Sequence, residues 1–160
     1  MNKDYILCMS ANKNYKQGKF KPKNPEKYNG DPTNIIYRSS YELKMFHYCD
    51  LTENIISYQS EEFWVPYVSP VDKKVHRYFP DMKLKYKDKD GNIRIVVVEI
   101  KPAKDLKEPP TNPPNRTKSW AYAVKTWVVN QAKWEACREY CKDRNWEFRI
   151  FTERDLGIQI

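Results

Sequence analysis

No stretch of the chain stays apolar long enough to cross a membrane, and the mean hydropathy of −0.90 agrees. The opening stretch from Met1 to Gln17 has a short apolar patch but neither the apolar core nor the small-residue cleavage site of a secretory signal, so a cytosolic setting is expected. Cysteine is sparse and irregular: Cys8, Cys49, Cys137 and Cys141 make no Cys-x-x-Cys pair and no evenly spaced framework. Reduced thiols packed as small apolar groups are therefore expected rather than a disulfide scaffold. There is no internal repeat, and 160 residues fit one domain.

What is present is aromatic and basic. Five Trp and twelve Tyr within a 40% hydrophobic composition are enough to build a core, which argues against wholesale disorder. The 29 Lys and Arg outnumber the 21 Asp and Glu, a net charge of +8 with a pI near 9.2, which favours polyanionic partners, nucleic acid ahead of an acidic membrane surface. The excess is unevenly placed: seven Lys against Asp4 and Glu26 give +5 within residues 1–30, leaving +3 for the other 130. This divides the chain into a basic N-terminal arm, 1–30, and a domain, 31–160. Residues 10–34, rich in Lys, Asn, Pro, Tyr and Gly, show neither helical nor strand period and read as an extended, irregular lead-in.

From Ser39 the pattern becomes regular. Ser39-Ser40-Tyr41-Glu42 sets a Ser three residues before a Glu, a capping box that opens a helix of about three turns. Ile55 to Val68 is consistent with one or two strands. Val75–Tyr86 and Ile93–Pro102 read as two strands joined by a tight turn at Asp88-Lys89-Asp90-Gly91-Asn92. A loop carrying five of the eleven prolines runs from Pro102 to about Ser119; a helix to Asp143 and a strand at Glu147–Phe151 follow. This order predicts a mixed α/β domain.

Chemistry concentrates on the hairpin. Period two puts Val97, Glu99 and Lys101 on one face of their strand and Val96, Val98 and Ile100 on the other. A three-residue turn with Gly91 left-handed would set Asp81 opposite Glu99, whereas a two-residue turn would break that pairing. Like charges facing across a ladder repel, and a divalent cation would offset the repulsion; Mg2+ is commonly held by one or two carboxylates with waters and phosphate oxygens. Lys101, on the same face, could orient or deprotonate a water and stabilise charge on a phosphate. The plainer alternatives are a solvated strand end for Glu99 and Lys101 and an exposed acid after a proline for Asp81.

Phe79-Pro80-Asp81, followed eighteen residues later by Glu99-Ile100-Lys101, resembles the signature of the PD-(D/E)XK nuclease superfamily. Five further strings, Phe20-Lys21-Pro22-Lys23-Asn24-Pro25, Tyr37 to Leu43, Tyr67 to Asp72, His76 to Asp81 and Val98 to Pro102, resemble the head-completion nucleases of tailed phages. The same core, with Phe151-Thr152-Glu153-Arg154-Asp155-Leu156, is similar to the endonuclease subunit of TnsABC-type transposons. The resemblance implies a restriction-endonuclease-like mixed central sheet flanked by helices and a DNA phosphodiesterase using Mg2+, for which Mn2+ can substitute. It implies Asp81, Glu99 and the Ile100 carbonyl as metal ligands, Lys101 as the catalytic lysine, and Glu42 as a carboxylate completing the metal shell. Glu42 also fills the third position of the capping box, where it needs no catalytic reason.

DNA is the implied partner, with phage head or neck proteins beside it and no membrane, in the host cytoplasm and in association with the virion. Lys19, Lys21, Lys23, Arg38, Arg77 and Lys104 are candidates for phosphate contact, which positions DNA without reading sequence; no recognition helix is evident. His76 could face a phosphate or be an ordinary strand histidine, and Gln131 could face the site or lie on the helix surface. Two other readings stay open: a transposon-type nuclease acting with a transposase, and a non-catalytic DNA-binding neck or plug protein.

Overall fold

The computed structural model describes residues 17–157. Eight strands and two α-helices follow in the order β1 (Gly18–Phe20), β2 (Ile35–Tyr37), α1 (Ser40–Leu51), β3 (Ile55–Gln59), β4 (Val65–Val68), β5 (Val75–Tyr78), β6 (Met82–Lys87), β7 (Ile93–Ile100), α2 (Lys118–Lys142) and β8 (Glu147–Phe151). The central sheet has the order β3-β6-β7-β8; its first three strands are antiparallel, and β8 runs parallel to β7 after the α2 crossover. β1–β2 and β4–β5 form separate two-stranded ribbons. Among the described residues no helix is long and apolar enough to cross a membrane.

Strand periodicity distributes the core over both faces of the sheet. Met82, Leu84, Val96, Val98 and Ile100 pack with Met45, Phe46 and Cys49 of α1. Val97, from the opposite face, packs with Tyr78 and with Trp134, Cys137 and Cys141 of α2. The sheet is thus sandwiched between two helices. Cys49, Cys137 and Cys141 are buried free thiols, while Cys8 lies outside the described residues.

α1 begins where the capping box expects it. Ser39 Oγ accepts from the Glu42 N–H at 3.1 Å and donates to Glu42 Oε1 at 2.9 Å, while Glu42 Oε2 accepts from the Arg38 N–H at 2.8 Å. Ser39→Ala removes this cap and should lower stability by about 1 kcal/mol in urea denaturation.

Two sequence expectations differ from the structure. The run from Val75 to Tyr86 is not one strand: it breaks at Phe79-Pro80-Asp81, β5 pairs with β4, and β6 enters the central sheet. Pro80 has no N–H to give a ladder, and its fixed φ turns the chain between the two sheets. The expected irregular lead-in is also ordered from residue 17 onward: β1 pairs with β2, Phe20 and Tyr28 are buried, and Pro25–Lys27 forms a 3₁₀ turn. Residues 1–16 of the basic arm lie outside the described residues.

Candidate active site

The β6–β7 turn sets the geometry. The Asp88 N–H donates to the Asn92 carbonyl at 2.9 Å, the Gly91 N–H to the Asp88 carbonyl at 3.1 Å, and Gly91 has φ +84°. This is the three-residue turn with a left-handed glycine, a position where a side chain would be strained. It pairs Lys87 with Ile93, Leu84 with Val96 and Met82 with Val98. One further step along that register brings Asp81 opposite Glu99.

Two acids and an amine meet at this end of the ladder. Asp81 Oδ2 accepts from the Ile100 N–H at 2.6 Å. Glu99 is only 4% exposed; its Oε2 accepts from the Tyr78 hydroxyl at 2.6 Å, and its Oε1 pairs with Lys101 Nζ at 3.0 Å. Asp81, Ile100 and Lys101 line a cavity of about 460 Å3, shared with Ser39, Ser40, Tyr41 and Glu42 from the start of α1 and with Pro102 and Asp105. The N-terminus of α1, the Pro80 break and the end of β7 therefore converge on one opening.

The electrostatics follow from this crowding. Burial first, then the facing Glu99, push the Asp81 carboxyl up to about 7 against the opposing pull of the Ile100 N–H and Lys101. Burial opposes the Lys101 ammonium, but Glu99 and Asp81 outweigh it and raise its affinity for the proton. Lys101 is accordingly held as a cation. Burial and Glu99 likewise raise the Tyr78 hydroxyl well above its ordinary range, so it remains a donor.

An acid whose folded pKa is raised binds more protons folded than unfolded between about pH 4 and 7, so its contribution to stability falls as pH rises through that window. In EDTA, the stability advantage of Asp81→Asn over the wild type should therefore grow by roughly 1–2 kcal/mol between about pH 5 and 8. Paired thermal melts at the two pH values check this.

The donor set suits a small, hard divalent cation. The ligating atoms on offer are carboxylate and carbonyl oxygens, and the raised Asp81 carboxyl marks negative charge that Lys101 alone does not balance. Among the described residues no group of three or more His, Cys, Asp or Glu is gathered closely enough to hold an ion unaided. Of the two facing carboxylates, Asp81 opens onto the cavity and Glu99 lies buried behind it.

The other expected site residues fall at different places. Glu42 lines the cavity, but both its oxygens serve the α1 cap. Arg38 is exposed and ion-paired with Glu61, close enough to Glu42 and Asp81 for both to stabilise its charge. Lys104 is exposed on the 3₁₀ turn Ala103–Leu106, beside Asp105 of the cavity wall. Lys19, Lys21 and Lys23 are exposed along and after β1. His76 bonds to Asp72 at 2.8 Å and packs on Tyr67, Arg77 lies over the Trp64 ring, and half-buried Gln131 sits on α2; none of the three lines the cavity. Sequence reasoning missed Tyr78 and Asp105. The signal for Tyr78 was its place three residues before Asp81, which is unreadable until the Pro80 break is recognised.

A mixed four-stranded sheet between two helices, with Asp81 and Glu99-Ile100-Lys101 joined across one hairpin, defines a nuclease of restriction-endonuclease-like fold. The family model described as TnsA-like endonuclease N terminal matches residues 52–153, and the chain belongs to this family. Over 149 residues it is 38% identical to the head completion nuclease of Enterobacteria phage T4, covering 89% of this chain and 96% of that protein.

Proposed function

We propose that the protein is a Mg2+-dependent deoxyribonuclease that hydrolyses DNA phosphodiester bonds during phage head completion. The observation that carries this reading is the Asp81–Glu99 juxtaposition, with Asp81 and Lys101 lining an open cavity and Lys101 Nζ 3.0 Å from the buried Glu99 behind them. The similarity to a head completion nuclease along nearly the whole of both chains supports the biological setting over a transposon one. It is also the basis for proposing head or neck proteins of the virion as partners.

Asp81, Glu99 and the Ile100 carbonyl would hold the cation. A bound Mg2+ supplies Lewis-acid stabilisation of charge on a phosphoryl oxygen. Lys101, fixed by Glu99, directs an ammonium N–H toward the cavity, where it can orient water and offset negative charge. Glu42 lines the same cavity, and each of its oxygens keeps a lone pair beyond its cap bond, so it would complete the metal shell while holding the start of α1. Arg38 and Lys104 stand beside the cavity and are the first candidates for phosphate contact; exposed Lys19, Lys21, Lys23 and Arg77 are further ones. His76 is engaged by Asp72, and Gln131 by its place on α2 is the weakest candidate.

Metal removal tests the reading. EDTA should abolish cleavage of linear, branched and flapped duplexes, and Mg2+ or Mn2+ should restore it. Folded protein that leaves all these substrates intact with either cation would support the plug reading, and cutting only in the presence of a transposase would support the transposon one.

A further inference from the structure

We propose that Tyr78 is a positioning residue for the nuclease site, holding the Glu99 carboxylate in the orientation that a divalent cation requires; this rests on the metal reading above. Tyr78 ends β5, outside the central sheet, and is 4% exposed. Its hydroxyl reaches Glu99 Oε2 at 2.6 Å, while Lys101 takes Oε1 at 3.0 Å. The carboxylate is thus gripped at both oxygens, by a neutral donor from one sheet and a cationic one from its own strand. Each oxygen retains a lone pair, so the grip fixes the plane of the group without consuming its capacity to bind a cation.

Without the Tyr78 hydroxyl, Lys101 is the remaining described donor to Glu99. A carboxylate released at Oε2 is free to rotate about its bond to the ammonium and loses its fixed plane. Tyr78 reaches this position because Pro80 ends β5 and sends the chain into β6, so the residues on either side of the break serve one site from two sheets.

The test compares wild type with Tyr78→Phe, Asp81→Asn, Glu99→Gln and Tyr78→Phe/Glu99→Gln. Mn2+ affinity is read by electron paramagnetic resonance, and cleavage is followed across a range of Mg2+ concentrations. Tyr78→Phe should bind Mn2+ about tenfold more weakly, with cleavage recovering toward wild type as Mg2+ is raised. In the Glu99→Gln background the same substitution should change Mn2+ affinity little, whereas a general packing defect would persist there. Wild-type affinity in Tyr78→Phe, with binding lost in Asp81→Asn, would overturn the proposal and leave the metal reading standing; unchanged binding in Asp81→Asn would remove the metal reading itself. Should Tyr78→Phe not fold, the wild-type Tyr78 hydroxyl proton decides: its downfield NMR resonance should move when Mg2+ is added, and a resonance unmoved at saturating Mg2+ would overturn the proposal.

Discussion

Asp81→Asn and Lys101→Met should each slow single-turnover DNA cleavage by roughly 10³-fold, about 4 kcal/mol of transition-state stabilisation, while the proteins stay folded. The two losses should differ in kind. Asn at position 81 can still accept from the Ile100 N–H but carries no charge, so Mn2+ affinity falls together with the rate. Met at 101 leaves both carboxylates in place and removes a positive charge beside them, which offsets the lost donor to Glu99 Oε1, so binding should be kept while turnover is lost. The neutral Asp81→Asn protein should also be at least as stable as wild type near neutral pH, because the group it replaces is a half-buried carboxylate facing another. Wild-type cleavage by folded Asp81→Asn would refute the site. A fall in Mn2+ binding by Lys101→Met equal to that of Asp81→Asn would refute the division of roles.

The parts of this site legible in the sequence are those governed by local rules. Gly91 four residues before Ile95 and the Asp88–Asn92 frame determine a turn, the turn determines the register, and the register places Asp81 against Glu99. Ser39 and Glu42 determine the start of α1 in the same local way. Period two also assigns Val96 and Val98 to the α1 side of the sheet and Val97 to the α2 side. The break at Pro80 was written in the chain but masked, because alternation runs unbroken through Tyr78 and Met82 although the two belong to different sheets. Tyr78 could not be paired with Glu99 from spacing, since their contact crosses that change of sheet. Glu42 shows the opposite difficulty: two physical roles want the same residue type at the same position, and the geometry realises the cap while leaving the side chain at the cavity wall.

The N-terminal segment was unreadable for a different reason, and its anchor is expected to have the largest effect on stability. Asp50, 1% exposed near the end of α1, accepts the Lys23 N–H at 2.7 Å, the Asn24 N–H at 3.0 Å and the Tyr58 hydroxyl at 3.4 Å. The last turn of α1 has no basic residue of its own; Lys27, from the same N-terminal segment, donates to the Asp50 and Thr52 carbonyls at 3.0 and 2.8 Å. An ammonium at a helix C-terminus satisfies orphan carbonyls and opposes the helix dipole. Residues 23–27 thus have no periodicity to read, because their conformation is imposed by a helix end about 25 positions later in the chain. Asp50→Ala would leave the buried Tyr58 hydroxyl and the partly buried Lys23 and Asn24 N–H groups without their acceptor, releasing the segment that these bonds tie to α1. The expected loss is about 3–5 kcal/mol, or roughly 10 °C in Tm. Asp50→Asn, which keeps one acceptor oxygen, should lose about half as much. The cavity lies at the other end of α1, a helix of twelve residues or about 18 Å, so Asp50→Ala should still cut DNA at near the wild-type rate well below its melting temperature. Urea denaturation and low-temperature cleavage assays separate the two effects. A stability loss below about 1 kcal/mol would show that the buried carboxylate does not anchor the segment.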